Sequence, residues 1–378
     1  MGHDRETAAA PGGGSCRGAG PVPVVSESTL SLRERSSVPD LVGAAVLVGC
    51  AVWAMVSAAG RPARPEGVLL ALLAVAAGYA AGRISGALLP MAAPAVAAAG
   101  ATAAVVALPD GLSGELSAPP LGYSHANAAL LTLAAGAACC AAWACRSAVS
   151  RTVLRLLALA IAVLSLAIGS FTGCAAALGV LLASLAAARM RRRALSLAGL
   201  ALCSLLAVGM TVAVAEDVLP GSQALAPHLS ETRVALWSDA VHLARDEPLR
   251  GVGPGRFGDL SPVAATEART PKAYSAALQQ AAEQGLPGAA LLAGAYLWML
   301  FALWRSPRPT PVVLTAGAAL TGIAVQASID YILSYAAVTA GSGLLAGFAT
   351  AHPTADDPPV EYAEDHASVS PPPWNPTG

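Results

Sequence analysis

The sequence predicts an all-α polytopic membrane protein: about ten transmembrane helices with one large folded extracytoplasmic loop. Three observations carry that expectation. Of 378 residues, 55% are hydrophobic and only 12% are charged, and mean hydropathy is +0.60. A soluble domain carries about 25% charged residues, and half that share cannot cover a water-facing surface of this size. Apolar runs long enough for a bilayer recur along the chain, and a single long polar stretch, 217–285, holds 14 of the 45 charged residues. The composition excludes an ordinary cytoplasmic enzyme and a disordered chain. A net charge of −1 offers no basic field for nucleic acid.

Taken in order, residues 1–39 read as a Gly-, Ser- and Pro-rich cytoplasmic tail with no signal-peptide core. A hydrocarbon core of about 30 Å needs roughly 20 apolar residues as helix. The matching runs are 40–60, 67–87, 89–108, 125–145, 152–169, 171–188 and 194–215, which make up a membrane domain at 40–216. Three more, 286–304, 311–329 and 332–350, form a C-terminal group at 286–350. Residues 351–378 are rich in Pro and acid and read as a second disordered cytoplasmic tail.

Charge sets the orientation. With both termini in the cytoplasm, 14 of the 22 basic residues fall inside, and the cluster Arg189-Met190-Arg191-Arg192-Arg193 anchors one turn there. Arg61 and Arg64 fall outside against the rule, and 217–285 falls outside with them. The expected location is the cell membrane, with the chain crossing it many times.

A structureless stretch of that length is uncommon, so most of 217–285 is expected to fold and to carry function. Ser230 is a candidate N-cap for a helix with Val234, Trp237, Val241 and Ala244 on its apolar face, ended by Pro248. Next comes Pro248-Leu249-Arg250-Gly251-Val252-Gly253-Pro254-Gly255-Arg256-Phe257, a glycine-rich turn flanked by arginines. Glycine admits close backbone approach, and arginine forks match phosphate oxygens, but a turn with no ligand also fits this pattern. A short helix containing Gln279 and Glu283 then stops at Gly285 and leads into the next span.

Six of the seven cysteines lie in apolar runs and Cys16 lies in the N-terminal tail, a pattern of small packing residues and not of disulfides. His228 and His242 lack a third histidine nearby, so no zinc site is expected, and no Gly-x-Ser-x-Gly elbow is present.

The order of three elements resembles the O-antigen ligase-like family. They are the Arg233-x-x-x-Trp237 helix, the Pro248-to-Phe257 glycine turn, and the run Leu278-Gln279 through Glu283 to Gly285-Leu286-Pro287-Gly288. The Asp330-Tyr331 pair and the segment Gly122-Tyr123-Ser124-His125-Ala126-Asn127 are similar to family features as well. The resemblance covers roughly 120–350 and is sharpest over 230–290. It implies transfer or polymerisation of a glycan from a polyprenyl-diphosphate carrier to an acceptor glycan or lipid at the outer face of the membrane, with no cofactor and no metal. Under it, Arg233 leads as a catalytic residue with Tyr274 beside it, and His242 of the same polar stretch is a further catalytic candidate, as a substitute base, that also fits a structural place on its helix. Arg250, Arg256, Gly251, Gly253, Trp237, Gln279, Glu283 and Asp330 would bind diphosphate or glycan. The chain departs from the family's pattern in two places. Tyr274 stands where a histidine is usual, and Ser170-Phe171-Thr172-Gly173-Cys174-Ala175-Ala176 lacks the arginine of a Ser-Arg-Gly-like segment. A tyrosine is a weak base at neutral pH but can hydrogen-bond an acceptor. Two other readings compete: a secondary transporter or lipid-carrier flippase, and an inactive scaffold of a glycan-assembly complex.

Overall fold

A computed structural model describes residues 27–107, 124–190, 192–218, 230–266 and 272–352. The outer parts of both tails, together with Gly122, Tyr123, Arg191 and His228, lie outside the described residues. The chain divides into two compact units, Met1–Val38 and Pro39–Gly378. The second unit carries the apolar helices and the polar stretch 217–285.

Among the described residues every regular element is helical. In order they are α1 (Glu27–Ala58), α2 (Glu66–Leu88), α3 (Ala92–Ala107), α4 (Ser124–Ala144), α5 (Ala148–Ala167), α6 (Phe171–Ala187) and α7 (Arg193–Ala215). Then come α8 (Glu231–Asp246), α9 (Phe257–Leu260), α10 (Pro262–Thr266), α11 (Ala276–Arg305), α12 (Thr310–Ile329), a 3-10 turn (Ile332–Ser334) and α13 (Ala336–Thr350). Each of the ten apolar runs forms a helix. Seven are long and apolar enough to cross a membrane: Val38–Ala58 of α1, and α2, α4, α5, α7, α11 and α12. The other three, α3, α6 and α13, have 16, 17 and 15 residues. At 1.5 Å per residue, 15 residues reach only about 22 Å of the roughly 30 Å core. The polar stretch is also less loop-like than its composition suggests. From Ala276 it is helical, forming the first part of α11, which is kinked at Gly285, whose φ of 71° and ψ of −174° interrupt the helix.

Helices α4 and α12 form the centre, buried over most of their length, and α3, α5, α6, α7, α11 and α13 surround them. A polar contact crosses this apolar interior, where Gln326 Nε2 of α12 donates to Thr132 Oγ1 of α4 at 3.0 Å. The closest packing joins α2 to α13. Gly78, Gly82 and Gly86, four residues apart on one face of α2, lie against Ala340, Leu344 and Phe348 of α13, and Gly343 and Gly347 of α13 lie against Val75, Tyr79 and Gly82 of α2. A Cβ on Gly82 would collide with the carbonyl oxygen of Leu344, and one on Gly343 with that of Val75. Small residues at this spacing let helix backbones touch, which supplies dispersion energy where lipid removes the hydrophobic drive.

The arginines sort to two ends. At one end, Arg83 pairs with Asp40, Arg193 donates to the Leu303 and Ser306 carbonyls, and Arg308 donates to Gly86 O (2.6 Å) and Ala351 O (2.9 Å). Arg193 and Arg308 thereby close carbonyls at the C-terminal ends of α2, α11 and α13. At the other end, Arg61 reaches the Gly251 carbonyl and lies 3.6 Å from Glu247, and Arg64 N–H donates to Pro254 O at 2.7 Å. Arg61 and Arg64, which break the charge rule, thus sit at the same end as the glycine-rich turn and hold it.

Candidate functional site

The site is built outward from α8. The Ser230 hydroxyl accepts the Arg233 N–H at 3.4 Å, an N-cap of the kind worth about 1 kcal/mol. The helix stops at Asp246, before Pro248. Its buried stripe is Leu236, Trp237, Ala240 and Val241. It is turned slightly from the face expected at Val234, Trp237, Val241 and Ala244, because α8 lies between α7 and α11 and packs on both. Trp237 is 1% exposed and its Nε1 donates to the Tyr274 carbonyl at 3.0 Å. That bond helps hold Tyr274 at φ 47°, a left-handed backbone that non-glycine residues rarely adopt and that concentrates at functional sites.

Arg233 projects onto this pinned residue, its guanidinium carbon 4.9 Å from the Tyr274 ring centroid. The Tyr274 ring meets Tyr331 edge-on at 5.4 Å, and Tyr331 stacks on Tyr335 at 5.9 Å. Lys272 Nζ lies 5.1 Å from the Tyr331 ring centroid. Two cations from different segments are therefore held against adjoining rings. Burial pushes the Lys272 ammonium down to about 8, with the charge of Glu283 pulling the other way. Asp330, the residue just beyond α12, is 3% exposed. One of its oxygens accepts the Tyr331 N–H at 2.7 Å, and the other lies 3.7 Å from His125 Nδ1 in the first turn of α4.

The glycine-rich turn has a different surrounding. Val252 N–H donates to Ala282 O (2.9 Å) and Gly253 N–H to Glu283 O (2.8 Å). Gly255 N–H donates to Glu283 Oε2 at 2.9 Å, Phe257 N–H to Glu283 Oε1 at 3.4 Å, and Gln279 Nε2 to the same Oε1 at 3.3 Å. Leu286 N–H closes back on Pro248 O at 2.8 Å. The turn is docked on the Gly285 kink, and the group its N–H donors hold is the chain's own Glu283 carboxyl. Gly251, at φ 59°, is packed so closely on the Glu283 and Gln284 backbone that a Cβ there would clash.

The structure therefore brings together Arg233, Tyr274, Trp237 and Asp330, and gathers Glu283, Gln279, Gly251 and Gly253 into a second, internal network. Arg250 faces elsewhere, donating to Val56 O in the last turn of α1 at 2.6 Å and to Ala59 O just beyond it at 2.9 Å. Arg256 is half-buried against Gly253. His242 is exposed, nine residues from Arg233 on the same helix. Nine steps of about 100° put it on the opposite face. Ser170 caps α6, and the segment that lacks the arginine packs there against Ala128 of α4. Sequence reasoning passed over Lys272, His125 as a side chain with a partner, and Tyr335. One signal was present for Lys272: it is the sole lysine among 22 basic residues. Among the described residues no group of three or more His, Cys, Asp or Glu could hold a metal ion.

Residues 153–293, from α5 through the first part of α11, match the family described as O-Antigen ligase. The match supports an O-antigen ligase-like family for this membrane chain. It takes in Arg233, Lys272, Tyr274 and Glu283, whereas His125, Asp330 and Tyr331 reach the same cluster from outside it. A search of curated proteins finds no match.

Proposed function

We propose, on the premise of an O-antigen ligase-like membrane protein, that the chain transfers or polymerises glycan from a polyprenyl-diphosphate carrier at the outer face of the cytoplasmic membrane. The observation that carries this is the Arg233–Tyr274–Tyr331–Lys272 cluster. Breaking an anomeric carbon–oxygen bond to diphosphate develops negative charge on the leaving group. Preorganised cations in a poorly hydrated place stabilise that charge most. A guanidinium held by a ring face keeps its in-plane N–H fork for phosphate oxygens. Among the described residues the Arg233 side chain has no hydrogen-bond partner. Lys272 supplies a second, compact charge.

Charge supports a placement outside. Arg83, Arg193 and Arg308 collect at one end and the cluster lies at the end of Arg61 and the turn, a distribution that favours the outer face for the cluster under the positive-inside rule. The acceptor is a hydroxyl of a second glycan or of a lipid.

The test is reconstitution of the purified protein in vesicles with a polyprenyl-diphosphate-linked glycan and an acceptor glycan. The expected result is a new glycosidic bond with release of polyprenyl diphosphate, lost in Arg233→Ala without loss of folded protein. Movement of the carrier across the bilayer with no bond formed would replace this reading with a flippase.

A further inference from the structure

The leaving group is served by Arg233 and Lys272, but transfer also needs a group to take the proton of the attacking hydroxyl. An arginine keeps its proton in proteins, and Tyr274 offers its ring face to Arg233. His125 and Asp330 meet the requirement by position. They come from different parts of the chain, the start of α4 and the end of α12, and neither lies within the matched segment 153–293. Asp330 is almost wholly buried and His125 is about one-third exposed, with Nδ1 of the imidazole facing the carboxylate at 3.7 Å. Asp330 is fixed in turn by the backbone N–H of Tyr331, whose ring adjoins Tyr274 and so the Arg233 platform. A buried carboxylate behind an accessible imidazole orients the ring and stabilises the imidazolium once formed. A separation slightly beyond hydrogen-bond length is usual for such pairs before substrate is bound.

We infer that His125, oriented by Asp330, is the general base of the glycan transfer. His125 Nε2 takes the proton of the acceptor hydroxyl as that oxygen forms its bond to the anomeric carbon. The bond from the anomeric carbon to the diphosphate oxygen breaks, and its electron pair leaves with the polyprenyl diphosphate. The imidazolium then returns the proton to water. His125 acts on the acceptor directly, and Asp330 is a positioning residue.

The inference rests on the glycan-transfer reading, and the experiment separates the two. In the vesicle assay, initial rates are measured for wild type, His125→Ala and Asp330→Asn, with and without added imidazole. The expected result is a fall of about a hundredfold or more in kcat for His125→Ala with little change in the acceptor's KM, and partial recovery with imidazole. A structural role would not give that recovery. Asp330→Asn is expected to lower kcat in the same way, and imidazole should not restore it while His125 fills the site. If Asp330→Asn does not fold, His125→Ala, which alters an accessible residue in a first helical turn, decides alone. Wild-type activity in His125→Ala overturns the inference and leaves glycan transfer standing. So does loss without imidazole recovery. If Lys272→Arg, which keeps the charge but cannot release it, is inactive while His125→Ala is active, the base is Lys272. A wild-type protein that forms no glycosidic bond removes the reading and the inference together.

Discussion

The Arg233 guanidinium lies over the ring of Tyr274, 4.9 Å from its centroid, and Tyr274 is itself anchored through its carbonyl by Trp237. Tyr274 thus forms a platform for a cation. What Tyr274 contributes to Arg233 is a ring face and not its hydroxyl. Tyr274→Phe should therefore keep most of the transfer rate, whereas Tyr274→Leu should lose several-fold to about thirtyfold, the rate equivalent of a contact worth about 1–2 kcal/mol. Rates of the two variants at matched amounts of folded protein decide it. Equal loss in both would assign the role to the hydroxyl.

Arg250 separates from Arg233 on the same reasoning. Its guanidinium is engaged by Val56 O and Ala59 O, so it closes the C-terminal end of α1. Arg250→Ala leaves helix-end carbonyls without that donor and is expected to cost about 1–3 kcal/mol of stability. Thermal unfolding in detergent should drop by several degrees, with the rate per folded molecule largely retained. Arg233→Ala should behave the opposite way, with stability near wild type and transfer lost. Inactive but fully stable Arg250→Ala protein would return this residue to the diphosphate site.

The contact of α2 with α13 makes a sharper demand. Gly82 and Gly343 each face a backbone carbonyl of the other helix with no room for a side chain. Gly82→Leu or Gly343→Leu should abolish a monodisperse peak in detergent size exclusion. Gly100→Ala and Gly294→Ala, where nothing lies within 4 Å of the added carbon, should be tolerated. Normal behaviour of Gly82→Leu would show that the two helices do not pack through their glycine rows.

These cases mark what the sequence made legible. Apolar run length places ten helices because lipid selects on length and hydropathy alone. The Ser230 cap, the stop before Pro248 and the break at Gly285 are local backbone chemistry, readable from residue type. Partner choice is not local. Lipid-facing and protein-facing sides are both apolar, so the α2 and α13 glycine rows read as composition until the helices are set together. The glycine turn resembles a phosphate loop because its N–H groups do converge on acceptor oxygens, and only the fold shows that these belong to Glu283. His125 and Asp330 stand 205 residues apart and meet only through the packing of α4 with α12.

Lys272 gives a prediction with a sign. Its ammonium is held down at about 8 in the folded protein, against 10.5 ordinarily, chiefly by burial and in spite of Glu283. A lysine whose folded pKa lies below its unfolded value weakens the folded state. The penalty is constant below about pH 8, where both states carry the proton, and it is relieved as pH rises from 8 towards 10.5, where the unfolded chain binds the proton and the folded chain does not. Lys272→Met removes the buried charge and keeps an apolar stem against Tyr331. It should unfold at a higher temperature than wild type below pH 8, and the gap should shrink steadily between pH 8 and 10.5. The same variant should lose glycan transfer, since the diphosphate would face Arg233 alone. Because Lys272 is the only lysine, the pH dependence of amine labelling, read by peptide mass, reports its titration directly. Half-labelling near pH 8 is the expected result. A midpoint at the ordinary lysine value, or a Lys272→Met protein less stable than wild type at pH 7, would mean that the ammonium is not buried against the Tyr331 ring.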